Sequence, residues 1–403
     1  RVHRMGGDMP IRHLVFGLIV AIAVAGCSGP VRKAAVPENQ TVRAVVPGLE
    51  DVRYRVGIDT ERLRKDGVES FYKEIALHKA QGQTGPLPPA DFLVVSGGGD
   101  SGAFGAGLLN GWTAAGDRPA FKLVTGVSTG ALIAPFAFLG PDYDDRLKHF
   151  YTNLGPADIA EERTILAAIT SDALADNAPL WRVVERAVDE NLLKAIAAEH
   201  NKGRILLIAT ADLDARQSVL WNMTKIAASG HPEALELFHS IMIASAAIPG
   251  AFPPVMIDVE VDGKPYQEMH VDGGTMSQLF LYPPGLSPKD EERRRNLAAR
   301  GRNVYIIRNA RLDPGWASVE RRTMDIASRA VSSLIHTQGI GDLYKVYVLT
   351  QRDGASFNLA YIPASFDAPH REEFDTEFMR TLFQVGYDMA ADGYPWENAP
   401  PGF

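Results

Sequence analysis

Three short stretches hold residue types able to break an acyl bond. Gly126-Val127-Ser128-Thr129-Gly130 sets a serine between two glycines. On a sharp strand-to-helix turn such a serine is held out from the backbone, and Gly126 and Gly130 remove side chains that would collide in the bend. Gly97-Gly98-Gly99-Asp100-Ser101-Gly102 offers backbone N–H groups left bare by glycine. With the positive end of a following helix behind them, such groups suit a developing oxyanion. His270-Val271-Asp272-Gly273-Gly274 adds a carboxylate able to accept a proton. Each string alone has a plainer meaning: a serine can simply cap a helix, and an aspartate before glycines is commonly a turn residue.

The elements that would carry these stretches favour the chemical meaning. Phe92 to Ser96 is a short apolar run read as a buried parallel strand, Lys122 to Thr125 is a second, and Thr129 to Leu139 reads as a helix. Strand, glycine turn and helix thus occur twice in succession, which implies a parallel sheet with helices on its faces. Arg204 to Leu213 and Gln217 to Asn222 return to strand, and Pro232 to Ala247 reads as helix. Val255 to Val261 and Lys264 to Val271 form a hairpin about Asp262-Gly263, and Asn303 to Arg308 is another buried strand. Glu69 to Lys79 reads as a helix. Met324, Ala327, Val331, Leu334 and Ile335 recur at helical spacing, a stripe read as core packing.

The same letters fit two other patterns less well. Gly97-x-Gly99-x-x-Gly102 matches a dinucleotide fingerprint, but the next strand ends in Thr125-Gly126-Val127-Ser128 and supplies no acid for the ribose. Gly99-Asp100-Ser101-Gly102 echoes the nucleophile segment of chymotrypsin-like proteases, yet a parallel strand and a glycine-spaced helix are the wrong surroundings.

Taken together, the glycine loop, the serine elbow and the late Asp-Gly-Gly resemble the patatin-like phospholipase family over about Phe92 to Gly274. Ala244-Ser245-Ala246-Ala247-Ile248-Pro249-Gly250-Ala251-Phe252-Pro253-Pro254 resembles the family's segment ahead of its aspartate. The resemblance implies an α/β fold, a central and mostly parallel sheet in three α/β/α layers. It implies Ser128 as nucleophile and Asp272 as its partner. Gly97, Gly98, Gly99 and Gly102 would form the oxyanion loop. It implies no calcium and no organic cofactor, and a phospholipid or other acyl ester as substrate. The family commonly carries arginine or lysine where this chain has Ser101. His270, on the same strand face as Asp272, is read as packing beside the site, and the other histidines show no metal-ligand spacing. Arg293, Arg294, Arg295, Arg300 and Arg302, behind Glu291 and Glu292, read as a solvated helical face of paired charges.

The chain has 403 residues with 41 basic and 49 acidic side chains, a net charge of −8. That balance argues against nucleic acid as a partner. Arg1, Arg4 and Arg12 precede an apolar run from Leu14 to Ala25, too short to span a bilayer, with Met5 or Met9 as candidate start. Val24-Ala25-Gly26-Cys27 resembles the lipobox of bacterial lipoproteins, which implies lipidation of Cys27 and a membrane anchor. Ser28 after the cysteine points to the outer membrane, facing the periplasm. The single cysteine forbids an intrachain disulfide. The expected organisation is a signal peptide over 1–27 and a tether with a small element over 28–90. A catalytic domain over 91–310 and a packed helical and strand extension over 311–403 follow. The leading expectation is a serine acyl hydrolase of phospholipids and lysophospholipids. Its rival is a catalytically silent envelope lipoprotein that keeps the fold and binds lipid or a partner.

Overall fold

The computed structural model describes residues 30–162 and 171–403, so Cys27 and the segment before it lie outside the described residues. The apolar runs assemble into a nine-stranded sheet. Its strands are β1 (Arg53–Arg55), β2 (Ala90–Val95), β3 (Leu123–Val127), β4 (Ile205–Asp212), β5 (Gln217–Asn222), β6 (Val255–Val261), β7 (Lys264–Asp272), β8 (Arg302–Arg308) and β9 (Ser356–Tyr361). The order is β1-β5-β4-β3-β2-β8-β9. The run from β4 to β9 is parallel throughout, β5 and β1 close one edge antiparallel, and the β6–β7 hairpin attaches to the end of β4. Asp262 and Gly263 both adopt positive φ at the hairpin tip, as that dipeptide favours.

Helices cover both faces, which is why the parallel strands are continuously apolar. Alternate residues divide the sheet's burial between the layers. Leu93 and Val95 face α2 (Gly102–Ala115), α3 (Thr129–Leu139), α4 (Ala234–Ser245) and α7 (Thr376–Ala391). Phe92 and Val94 face the second half of α6 (Thr323–Asp353), and Leu207 packs with Leu63 of α1 (Thr60–Ala80). The result is the mostly parallel three-layer α/β/α fold. The stretch expected as a tether contributes an edge strand, β1, and the whole of α1.

Glycines let α2 and α7 meet backbone to backbone. A Cβ on Gly107 would lie 1.9 Å from the Phe383 carbonyl oxygen, and one on Gly386 would lie 2.3 Å from that of Phe104. This contact fixes α2, and with it the loop at its N-terminus. Helix α1 begins at Thr60 rather than near Glu69. Its first turns bury little beyond Leu63. They are held by ion pairs of Arg64 with Glu61 and with Glu291 of α5 (Pro288–Arg294), which a search for apolar periodicity does not register.

One expectation is overturned. The stripe on α6 is not core: Met324, Val331, Leu334 and Ile335 are exposed, and packing begins only in the helix's second half, at Leu343, Val346 and Leu349. Among the described residues no helix is long and apolar enough to cross a membrane.

Candidate active site

Strand register brings Ser128 and Asp272 together. β3 runs along β4 until Val127 pairs with Ala209, and there it ends. β7 takes over the same edge of β4 at the next residue, where Asp272 pairs with Thr210. The residue after β3 and the last residue of β7 therefore stand end to end. The Ser128 hydroxyl is near enough to the Asp272 carboxylate to pull its pKa down.

Ser128 has φ 55° and ψ −126°, a strained conformation for a residue with a Cβ and the geometry of a nucleophile elbow. Close packing enforces it. A Cβ on Gly130 would lie 2.3 Å from the Val95 carbonyl oxygen, and one on Gly126 would lie 2.4 Å from that of Gly130. Ser245 completes the clamp: its hydroxyl accepts from the Ser128 amide at 3.0 Å and donates to the Ala209 carbonyl at 2.7 Å.

Asp272 accepts from the Gly274 amide at 2.7 Å, and its own amide donates to Ala247 at 2.9 Å. Burial pushes its carboxyl up to about 6, against the lowering pull of the Ser128 hydroxyl and the Gly274 amide. A carboxylate with that affinity is a far better proton acceptor near neutrality than an ordinary aspartate.

The glycine loop lies against the serine. A Cβ on Gly97 would be 3.1 Å from Ser128 Cβ, and the Gly97 amide is spent on the Gln278 carbonyl at 3.0 Å. Gly98 has φ 152° and Gly99 φ 57°, and both precede the first turn of a helix, where amides have no intrahelical acceptor. Gly99 and Ser128 line one small apolar cavity of about 30 Å³ with Leu132, Phe252 and Met379. Among the described residues no backbone acceptor takes either of those two amides. Gly102 opens α2 and packs on Thr129 and Tyr151, so its role is to seat the loop. Ser101 is partly exposed at the head of α2.

Three residues that sequence reasoning passed over support the site: Ser245, Gln278 and His370. Gln278 donates its side-chain amide to Gly274 at 2.8 Å and to Gln338 at 3.1 Å, tying the Asp272 turn to α6. His370 Nε2 lies 2.6 Å from Asp100 Oδ2, which also accepts from the Phe374 amide at 3.0 Å. A serine closing the apolar end of α4 was a readable signal for Ser245. Gln278 and His370 sit in irregular segments with none.

His270 packs as expected. It is fully buried between Thr210, at 2.8 Å, and Glu268, at 3.1 Å. Burial would raise the Glu268 carboxyl, but Arg53 and His270 together hold it well below the usual range. Among the described residues two side-chain groups have metal-ligating composition, Asp212–Glu268–His270 and Asp100–His370–Glu373. The first is already neutralised by the paired Arg53 guanidinium, and Asp100 of the second is taken up by His370 and Phe374. Arg293, Arg294 and Arg295 pair with Asp290 and Glu291 as expected, but Arg300 and Arg302 do not belong to that solvated face: they are buried against Glu74 and Glu292. A larger cavity, about 160 Å³, lies at the opposite ends of β2, β3 and β4, lined by Phe92, Leu123 and Leu207, away from Ser128.

Residues 93–283, just under half of the chain, match the family model of the patatin-like phospholipases. No curated protein matches the chain. Among solved structures it is similar to VipD from Legionella pneumophila, at 12% identity and a TM-score of 0.32. That match covers 76% of this chain and 66% of the other, so the chain spans just under two thirds of that protein.

Proposed function

We propose that the protein is a serine acyl hydrolase that cleaves fatty-acyl esters of phospholipids and lysophospholipids through Ser128 and Asp272. The observation that carries the reading is the register of β3 and β7 on β4, which sets a strained serine beside a buried carboxylate of raised pKa. Asp272 takes the Ser128 proton as the hydroxyl oxygen attacks the ester carbonyl. The amides of Gly98 and Gly99 stabilise the oxyanion, where losing one donor typically costs about 100- to 1000-fold in rate. Asp272 then protonates the departing alcohol. The same carboxylate activates the water that clears the acyl-enzyme. The lining beside Ser128 at Leu132, Phe252 and Met379 is apolar, the polarity that an acyl chain requires.

The test is turnover of chromogenic fatty-acyl esters and of phospholipids by the parent, Ser128→Ala and Asp272→Asn. Both variants should lose at least about 1000-fold; equal turnover by all three ends the reading. Ser101, where the family commonly has a base, supports a second reading, a silent lipoprotein that keeps the fold. That reading expects no ester turnover from the parent.

We also propose that Cys27 is acylated and anchors the chain at the outer membrane, on the strength of the lipobox. Labelled palmitate should enter the parent and not Cys27→Ala. Equal labelling of the two would contradict the anchor.

A further inference from the structure

Residues 314–337 leave and rejoin the body at the rim of the candidate site. Just before the departure, Ala310 and Arg311 bond to the segment after β9, and the Asn309 amide donates to the Ser96 hydroxyl at 2.9 Å while its carbonyl crowds Gly98. The excursion returns at Gln338, bonded to Gln278 beside the Asp272 turn. Between these points lies a loop and then the free first half of α6, about 20 Å of helix standing clear of the protein.

The excursion is apolar where it should not be if water were its only neighbour. Trp316 is 91% exposed, Met324 75% and Leu334 70%, with Ile326, Val331 and Ile335 also exposed. At about 100° per residue, Ile326, Leu334, Val331, Met324 and Ile335 span about half the helix circumference. Asp325, Arg329, Ser332 and Ser333 share the other half. This arc is centred about 100° away from the side on which Leu343, Val346 and Leu349 bury the second half, so it does not continue that contact.

We propose that Gly315 to His336 is an interfacial docking element that seats the mouth of the Ser128 site on an anionic phospholipid surface. Lipid as the partner rests on the acyl-hydrolase reading; the exposed amphipathic element does not. A half-circumference apolar arc beside arginines is the pattern of a helix lying in a headgroup layer, whereas helix pairing uses a narrower seam. Arg321, Arg322 and Arg329 outnumber Glu320 and Asp325, a local positive surplus in a chain of net charge −8. That complements anionic headgroups. A second copy of the chain fits less well, because this handful of side chains falls short of the roughly 20 residues a side that stable interfaces use.

The test uses full-length chain carrying Cys27→Ala, so that no acyl anchor contributes, and Ser128→Ala, so that binding is read without turnover. Sedimentation with phosphatidylglycerol–phosphatidylcholine vesicles should show binding that weakens at high salt. Val331→Glu with Leu334→Glu should weaken it at least about 30-fold. Arg321→Gln with Arg322→Gln and Arg329→Gln should flatten the salt dependence. With Ser128 restored, the two glutamate substitutions should leave hydrolysis of a soluble short-chain ester unchanged while hydrolysis of vesicle lipid falls. Absence of vesicle binding, or equal binding by the glutamate variant, overturns the proposal. So does a dimer that the glutamates dissociate without changing vesicle binding, which assigns the face to a second copy. Vesicle binding by a chain that cleaves no ester leaves the docking element standing and removes the hydrolase reading.

Discussion

Asp100 and His370, 270 residues apart in sequence, meet at 2.6 Å on the back of the oxyanion loop. The pair ties the loop's first turn to the segment ahead of α7, and the buried Asp100 carboxylate has the Phe374 amide as a second donor. His370→Ala removes one hydrogen bond to a buried carboxylate, a loss of about 1.5 to 3 kcal/mol in comparable sites. We expect ester turnover to fall about 10- to 100-fold in kcat, with KM for a soluble ester little changed. An unaltered kcat would show that the latch does not position the amides.

The pH dependence follows from Asp272. It accepts a proton only when ionised, and its pKa is raised to about 6. The kcat/KM for a soluble ester should therefore rise with pH, with a midpoint near about 6, and level off above. A midpoint near about 4, the ordinary aspartate value, would contradict the buried setting.

The same shift makes Asp272 a liability to folding. Its folded pKa lies above its unfolded value of about 3.9, so the native state binds more protons between those values and stability falls as pH rises from about 4 to about 6. Asp272→Asn should be more stable than the parent by about 1 to 3 kcal/mol at pH 8, with the difference vanishing below about pH 4. Urea denaturation at the two pH values reads this directly.

Gly98 and Gly99 should respond differently to alanine. A Cβ on Gly98 would lie 2.1 Å from the Asn309 carbonyl oxygen, whereas nothing lies within 4 Å of one on Gly99. Gly98→Ala should displace the loop and cost at least about 100-fold in kcat. Gly99→Ala pays only for its left-handed φ, about 1 to 2 kcal/mol of stability. Paired kinetics and denaturation of the two variants separate these effects.

Behind the site, Arg53 and Glu268 form a buried pair. Arg53→Met leaves Glu268 without its cation and should destabilise the fold by about 3 to 5 kcal/mol. Substituting both, Arg53→Met with Glu268→Leu, should recover much of that loss. A double variant no better than the single would show that His270 and Arg55 depend on the carboxylate.

The placement of Ser128 at a strand-to-helix turn and of Asp272 at a strand end was legible because strand, turn and helix chemistry constrain such turns locally, through particular residue types. Helix α3 and strand β6 fall at their expected bounds for the same reason. His370 was not legible, since an irregular segment carries no sign of the partner it meets. The stripe on α6 was misread for a different reason: periodicity tells which side of a helix is apolar, and says nothing about what covers it.

The central claim is that Ser128 is a nucleophile made reactive by Asp272. Its most direct measurement is covalent labelling of the folded protein by a fluorophosphonate, with the modified residue mapped by mass spectrometry. The account expects one label per chain, on Ser128, and a rate at least about 100-fold lower in Asp272→Asn. No label on Ser128, or labelling equally fast without the carboxylate, would contradict it.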